Sequence, residues 1–536
     1  LEFVWICDNC HRSSFSRMRR KLLLLKSEML GGVDLELFSL LEKNEQRQIK
    51  LFQLLLEEKG EISVNNVLTR LSVDRATLKE DLFYLQANLE NIKQLEIVIQ
   101  EGNILLIRHG NIAAVDVYYH CYLRYSTKYQ ILLYLLENGS FDRQKLVMEL
   151  NISSATLSRR VKELNDSLNE FHLKIKSGRL TGPESQICYF YFQLFWFGRP
   201  YLENKKEYSD LSGNTFLDLL QKEFSFTITE EGRLKFEIWL SIMKKRMRCT
   251  KKSKPDYSNL PVGLFQTTQF LLDLHTFLTR YFFQYAFPWN QNETLVFYLF
   301  MISNFTLDTH NSHVQEFLIS EKYKDDVVAQ LNRTFKQSIE EYFSFYVFPE
   351  EISQKIALTV MQNHAHFAYF RGWMNIFGQE GLKQRLTEVE DKQFLVLCER
   401  LVRQTFAIVD FTEVDEENAR FELFARYASI LRTLIKQLEL RLQIAYDLPY
   451  ERLMADIVKE IIQEQLLNTI KYDLVEYEKE KQYDIILTSQ LKEYPSQKSA
   501  KVFVFTSNEY NYDFPYLNQF LKECYLEKLN LRMNKT

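Results

Sequence analysis

The chain has 536 residues, 46% apolar and 26% charged, which requires several packed cores and excludes a disordered chain. Its formal net charge is −4, so any contact with DNA has to come from a local basic surface rather than from a global field. Seven scattered cysteines and the lack of an apolar run of spanning length exclude a disulfide-built scaffold and a membrane-spanning chain, and suit the cytoplasm.

Residues 1–40 are assigned to a leader of undetermined order. The chain opens on Leu1, and Met18 and Met29 are both candidate starts. Arg17-Met-Arg-Arg-Lys21 followed by Leu22–Leu25 mimics a signal sequence, but its apolar part is too short. Cys7-Asp-Asn-Cys10-His11 has the spacing of a haem attachment motif or half a zinc site. No export signal and no second ligand pair accompany it, so we read it as incidental.

Two stretches then repeat 79 positions apart. Leu71-Ser-Val-Asp-Arg-Ala-Thr-Leu78 recurs as Leu150-Asn-Ile-Ser-Ser-Ala-Thr-Leu157. Phe52, Gly60, Val67, Val73 and Leu85 match Ile131, Gly139, Leu146, Ile152 and Leu164 without a gap. Core positions that repeat while the surface varies indicate one supersecondary unit used twice. In the first copy, 41–112, a helix over 45–57 is followed by a short helix over 64–71 and by a third helix capped by Asp74. Leu95–Ile99 and Ile104–Arg108, around a Glu101-Gly-Asn103 turn, form a hairpin. The second copy, 113–184, has helices over 128–137 and 142–150, a third capped by Ser153 or Ser154, and a hairpin over 173–180. The pattern is that of tandem winged helix-turn-helix domains.

Third helices of such units carry base-reading side chains on their first outer turns. In the first copy these are Arg75, Thr77 and Lys79, accompanied by the acidic Glu80 and Asp81. In the second they are Thr156, Ser158, Arg159, Arg160 and Lys162, with Lys174, Lys176 and Arg179 of the hairpin available to phosphates. The second copy is the more basic and is expected to hold double-stranded DNA more strongly. Winged helices also serve as protein-binding modules, and this alternative stays open here.

From 185 to 436 the periodicity is helical and rich in aromatics, and we divide it into all-helical domains at 185–288 and 289–436. Tyr189–Phe197 is expected to be core rather than a base-stacking platform. The run from Lys244 to Lys254 is the most basic stretch and reads as a helix end and loop. No Gly-rich phosphate loop, Gly-x-Ser-x-Gly or His-Glu-x-x-His is present, so no enzymatic activity, cofactor or metal site is expected. Beyond 437 short strands alternate with helices, which indicates a small, largely parallel α/β domain over 437–536.

This order of domains resembles the Mga/AtxA group of virulence and sugar-responsive transcription regulators of Gram-positive bacteria, over about residues 40 to 536. The resemblance implies that the helical middle is a pair of phosphotransferase-system regulation domains and that the last domain resembles an enzyme IIB subunit. It further implies phosphorylation on histidine by the phosphocarrier protein of that system, with His275, His310, His313, His364 and His366 as candidates. It also implies a homodimer or higher oligomer built through the helical and IIB-like domains. A working IIB subunit carries its phosphoryl group on a Cys in the loop after the first strand. Here that loop is Tyr446-Asp-Leu-Pro-Tyr450, so a role in contact rather than phosphotransfer is expected. The rival expectations are a scaffold that does not bind DNA and a component of the sugar relay.

Overall fold

A computed structural model describes residues 35–208, 211–249, 255–266, 269–284, 289–307, 326–343, 348–375, 392–409, 411, 413–437, 440–466, 470–497, 499–506 and 512–533. The protein is mainly helical. Its residues fall into two compact units. One is drawn from Leu1–Asn332, Gln354–Val389 and Val402–Arg426, the other from Arg333–Ser353, Glu390–Leu401 and Tyr427–Thr536.

The first unit begins with a short strand β1 (Leu35–Glu36), then α1 (Lys43–Glu57), β2 (Glu61–Ser63), α2 (Val64–Leu71), α3 (Arg75–Glu90), β3 (Leu95–Gln100) and β4 (Asn103–Arg108). The three strands form an antiparallel sheet in the order β2-β4-β3. After α4 (Ala114–Cys121) the series returns as α5 (Thr127–Asn138), α6 (Arg143–Glu149), α7 (Ser154–Leu168) and a hairpin of β5 (Lys174–Lys176) and β6 (Arg179–Thr181).

The 79-residue repeat is present in the backbone itself. Gly60 and Gly139, Ser72 and Asn151, and Lys93 and His172 are three such pairs, and all six residues have positive φ. Helix starts match as well. Ser63 and Asp142 cap α2 and α6, and Asp74 and Ser153 cap α3 and α7 by accepting from the N–H groups of Thr77 and Thr156 at 2.7 and 3.0 Å. A capped turn removes one orphan N–H, worth about 1 kcal/mol. Behind these starts, Leu78, Leu82 and Leu85 of α3, and Leu157 and Leu164 of α7, are buried.

The rest of this unit is built on α8 (Glu184–Gly198), α9 (Tyr201–Tyr208), α10 (Leu211–Phe224), α11 (Glu230–Cys249), α12 (Gln269–Phe283) and α13 (Gln291–Ser303). Tyr189–Phe195 are buried, as the density of aromatics suggested. Trp239 of α11 stacks on Phe300 of α13 with centroids 4.1 Å apart. Buried side chains from Leu37 to Met374 make one continuous core that takes in both repeat copies and the helices behind them. Helices α14 (Val327–Tyr342), α15 (Glu350–Tyr369), α16 (Lys392–Ile408) and α17 (Glu413–Gln437) each contribute residues to both compact units.

After α15 the chain enters β7 (Met374–Asn375), which pairs in parallel with β1. This segment lies on α8 and on the turn after α7. Tyr189 stacks on Phe370 at 4.5 Å, Gln186 Nε2 donates to Arg371 O at 2.5 Å, and the Trp373 N–H donates to Glu170 at 3.1 Å.

The second unit holds a four-stranded sheet of β8 (Leu442–Asp447), β9 (Tyr472–Glu476), β10 (Ile485–Thr488) and β11 (Lys501–Val504). Every pair is parallel, in the order β11-β10-β8-β9. β10 is buried throughout, as an inner strand of a parallel sheet must be. Helices α18 (Arg452–Gln465) and α19 (Phe514–Met533) accompany it. At the carboxyl end of β8, Asp447 accepts from Lys492 Nζ at 3.0 Å and from the Tyr494 hydroxyl at 2.7 Å.

Candidate nucleic-acid interface

The sharpest chemical asymmetry lies on α7 and its hairpin. Ser154, Ser158, Arg159 and Lys162 are exposed along one face of α7, and Lys174, Lys176 and Arg179 are exposed on β5 and β6. Buried Ile175 and Leu180 anchor the hairpin, so its alternate residues must point to solvent. Arg143, which was not singled out from the sequence, lies across the first turn of α7. Its guanidinium donates to Ser154 Oγ at 2.8 Å and to Ser154 O at 2.9 Å, and it also meets the Ser158 hydroxyl. Its position at the first residue of α6 carried no signal, because its partners are 11 and 15 residues away.

Two expectations about these helices need correction. Arg160 does not stand on the outer face. Its side chain is only 11% exposed and is held by Glu42 at 2.5 Å and by Glu163 at 2.9 Å. Asp81, the matching position in the first copy, is likewise turned inward. It accepts two hydrogen bonds from Arg47 of α1, at 2.5 and 2.9 Å, so it does not oppose the bases of its own helix. Both residues sit where the helical period turns a polar side chain inward, Asp81 toward α1 and Arg160 toward Glu42 at the start of α1.

Thr77 and Thr156 are half-buried and serve their caps. The Thr156 hydroxyl lies 2.9 Å from Ser153 Oγ, and the bonds from Thr77 hold the Asp74 carboxyl below its ordinary range. Arg75 and Lys79 remain exposed on α3, followed on the same stripe by Phe83, which is 66% exposed and takes the place of Lys162. Burial pushes the Glu163 carboxyl up, but hydrogen bonds from Arg160 and Lys128 outweigh this and keep it ionised below its usual value.

The histidine candidates separate cleanly. His364 and His366 of α15 are buried and not presented to a partner. Burial pushes His364 down to about 3, and its Nδ1 lies 2.6 Å from Asn332 Oδ1. His366 is also driven down by burial. Its Nδ1 faces the carbonyl of Ser303 at 3.2 Å and its Nε2 the Tyr189 hydroxyl at 3.3 Å. A carbonyl can only accept, so Nδ1 carries the proton of a neutral ring. His275 of α12 is partly exposed, with Nδ1 2.8 Å from Thr294 Oγ1. His310 and His313 lie outside the described residues, as do Cys7, Cys10, His11 and the end of the basic run at 250–254. Among the described residues no group of three or more His, Cys, Asp or Glu could hold a metal ion, and no helix is long and apolar enough to cross a membrane.

Comparison with known proteins bears on this same surface. Residues 112–195, which contain α5 to β6, match the Mga helix-turn-helix domain. Over 191 residues the chain is 26% identical to a protein of Streptococcus pneumoniae serotype 4 (strain ATCC BAA-334 / TIGR4) named "Putative trans-acting regulator". That match covers 35% of this chain and 38% of the relative, so the chain spans under two fifths of that protein's length. Residues 112–195 of the chain are thus similar to the Mga helix-turn-helix domain, and about a third of the chain is similar to a protein named as a regulator.

Proposed function

We propose that the protein is a cytoplasmic transcription regulator that binds double-stranded promoter DNA through two winged helix-turn-helix units, 41–112 and 113–184. The observation that carries this reading is the exposure of six cations, Arg143, Arg159, Lys162, Lys174, Lys176 and Arg179, within the stretch 112–195 that matches a helix-turn-helix domain. Its recognition helix offers hydroxyls and cations to base edges and its hairpin offers lysines to the backbone. The first copy contributes Arg75 and Lys79 and reads as the weaker partner.

In the same reading the helical domains set when the DNA is held. Sugar phosphotransferase control would act through His275, or through His310 and His313. A phosphorylated ring brings negative charge and new acceptors into a packed helical face. The α/β domain is read as a IIB-like contact module that supports a homodimer. Its first-strand loop offers Asp447, already matched by Lys492 and Tyr494, where phosphotransfer would need a thiol.

The test is binding to genomic promoter fragments across a salt series. Steep weakening with salt supports phosphate contacts, at a slope of about −0.9 per contact. Arg159→Ala with Lys162→Ala is expected to weaken binding more than Arg75→Ala with Lys79→Ala, and to flatten the slope by about 2. No binding at low salt would favour the scaffold reading instead. Incubation with the relay proteins should label histidine outside 440–536, and label within that range would refute a contact-only role for the IIB-like domain.

A further inference from the structure

The six residues before α1 are laced into the second repeat copy. Tyr118 Oη donates to Leu37 O, Ser126 Oγ to Leu40 O at 2.5 Å, and Lys128 Nζ to Ser39 O at 2.7 Å and Leu41 O at 3.4 Å. Ser167 of α7 meets Ser39 at 3.3 Å. Glu42, the N-cap of α1, takes the Arg160 guanidinium at 2.5 Å. Arg160 also holds Glu163, which is bound in turn by Lys128 at 3.0 Å. The four charges therefore run Glu42–Arg160–Glu163–Lys128, from the start of the first copy's first helix to the third and first helices of the second.

The comparison within the repeat shows what is special about this arrangement. At the equivalent position Asp81 pairs with Arg47, inside its own copy. Arg160 pairs across copies, and does so from α7 itself, behind the exposed Arg159 and Lys162. Lys128 is 7% exposed and Arg160 11%, while Glu42 and Glu163 reach water at 39% and 35%, so the cations are shielded and the carboxylates lie at the rim. A half-shielded ion pair of this kind adds little net stability, but it does fix one register against others.

Resting on the reading that both copies bind DNA, the geometry points to Arg160 as a positioning residue. It locks α7 to the first copy through Glu42, so that the two recognition helices meet DNA at one fixed spacing and the spacing between the two half-sites becomes part of the specificity. Arg160 on this account touches no base. Two readers joined rigidly gain from each other only when both sites fall at the span they are built for, whereas loosely joined readers tolerate a range of spans.

The experiment uses the full chain. Bound duplexes are selected from a random-sequence pool, the two protected elements are mapped, and 5 bp, about half a helical turn, are inserted between them. For the native chain the insertion should weaken binding about a hundredfold, the lower end of what joined sites lose when geometry forbids both. For Arg160→Met with Glu42→Gln the loss should shrink to about fivefold or less, while Arg160→Lys, which keeps the charge, should restore most of the native penalty. Thermal unfolding of each variant confirms that it is folded. If the native chain binds but ignores the insertion, or if the double variant keeps the full penalty, the positioning role is refuted while DNA binding stands. If no duplex is selected, the DNA-binding reading falls and this inference with it.

Discussion

Arg47 and Asp81 form a two-pronged ion pair whose members are unequally shielded. The Asp81 side chain is 1% exposed, while that of Arg47 reaches water at 29%. The two deletions are therefore not equivalent. Removing Arg47 leaves a carboxylate buried without a partner, a loss of about 3–5 kcal/mol. Removing Asp81 leaves a guanidinium that water can reach, and about 1–2 kcal/mol is lost. Urea unfolding of Arg47→Ala and Asp81→Ala should show the first as clearly the weaker protein. The opposite order would mean that Asp81 is solvated in solution.

The two caps at the start of α3 and α7 give a smaller and matched effect. Asp74→Ala and Ser153→Ala each delete the acceptor for a backbone N–H three residues on, and each should lower stability by about 1 kcal/mol. The helices are held from behind by buried leucines, so they should shorten at the first turn rather than melt. Hydrogen exchange at residues 75–78 and 154–157 reads this directly. Unchanged protection there would show the caps to be dispensable.

The buried histidines of α15 predict a dependence on acid. Both rings are neutral in the folded chain, with values pushed below the ordinary 6.5 by burial, His364 to about 3. Between these values the unfolded chain binds a proton that the folded chain refuses, so stability is present above pH 6.5 and is lost as pH falls toward 3. Each ring should remove about 1.5 kcal/mol between pH 6.5 and 5. His364→Gln should flatten the pH profile of the urea midpoint by one ring's share. A profile parallel to the native one would show that His364 is protonated without unfolding.

Much of the two repeat copies was legible because their signals are local. Asp74 and Ser153 announce helix starts, Gly139 ends α5, and the Glu101-Gly102 turn closes the first hairpin. The inward turn of Asp81 and Arg160 was not legible. A charged residue on a helix is ordinarily solvated, and only partners 34 and 118 residues away show otherwise. His366 was hidden for the same reason, since Tyr189 and Ser303, which surround it, are distant in sequence. The pairing of Leu35 with Met374 could not be read at all, because two-residue strands carry no periodic signal.

Gly372 offers the cleanest test of how the segment after α15 is seated on α8 and the turn after α7. It has φ of +82°, and a Cβ there would fall 2.7–2.8 Å from the ring of Phe171, which is buried in the turn after α7. Gly102, at the tip of the first hairpin, has φ of +81° but nothing within 4 Å of such a Cβ. Alanine at either position bears the same backbone strain, about 1 kcal/mol. Only at Gly372 does it also force the Phe171 ring aside or lift the segment away, adding about 1–3 kcal/mol. Lifting the segment would break the bonds from Trp373 N to Glu170 and from the Tyr189 hydroxyl to Gly372 O. Gly372→Ala should therefore unfold well below Gly102→Ala in parallel thermal melts, with the largest loss of amide protection at residues 370–375 and 169–171. Equal melting of the two variants would mean that the segment does not rest on Phe171 in solution.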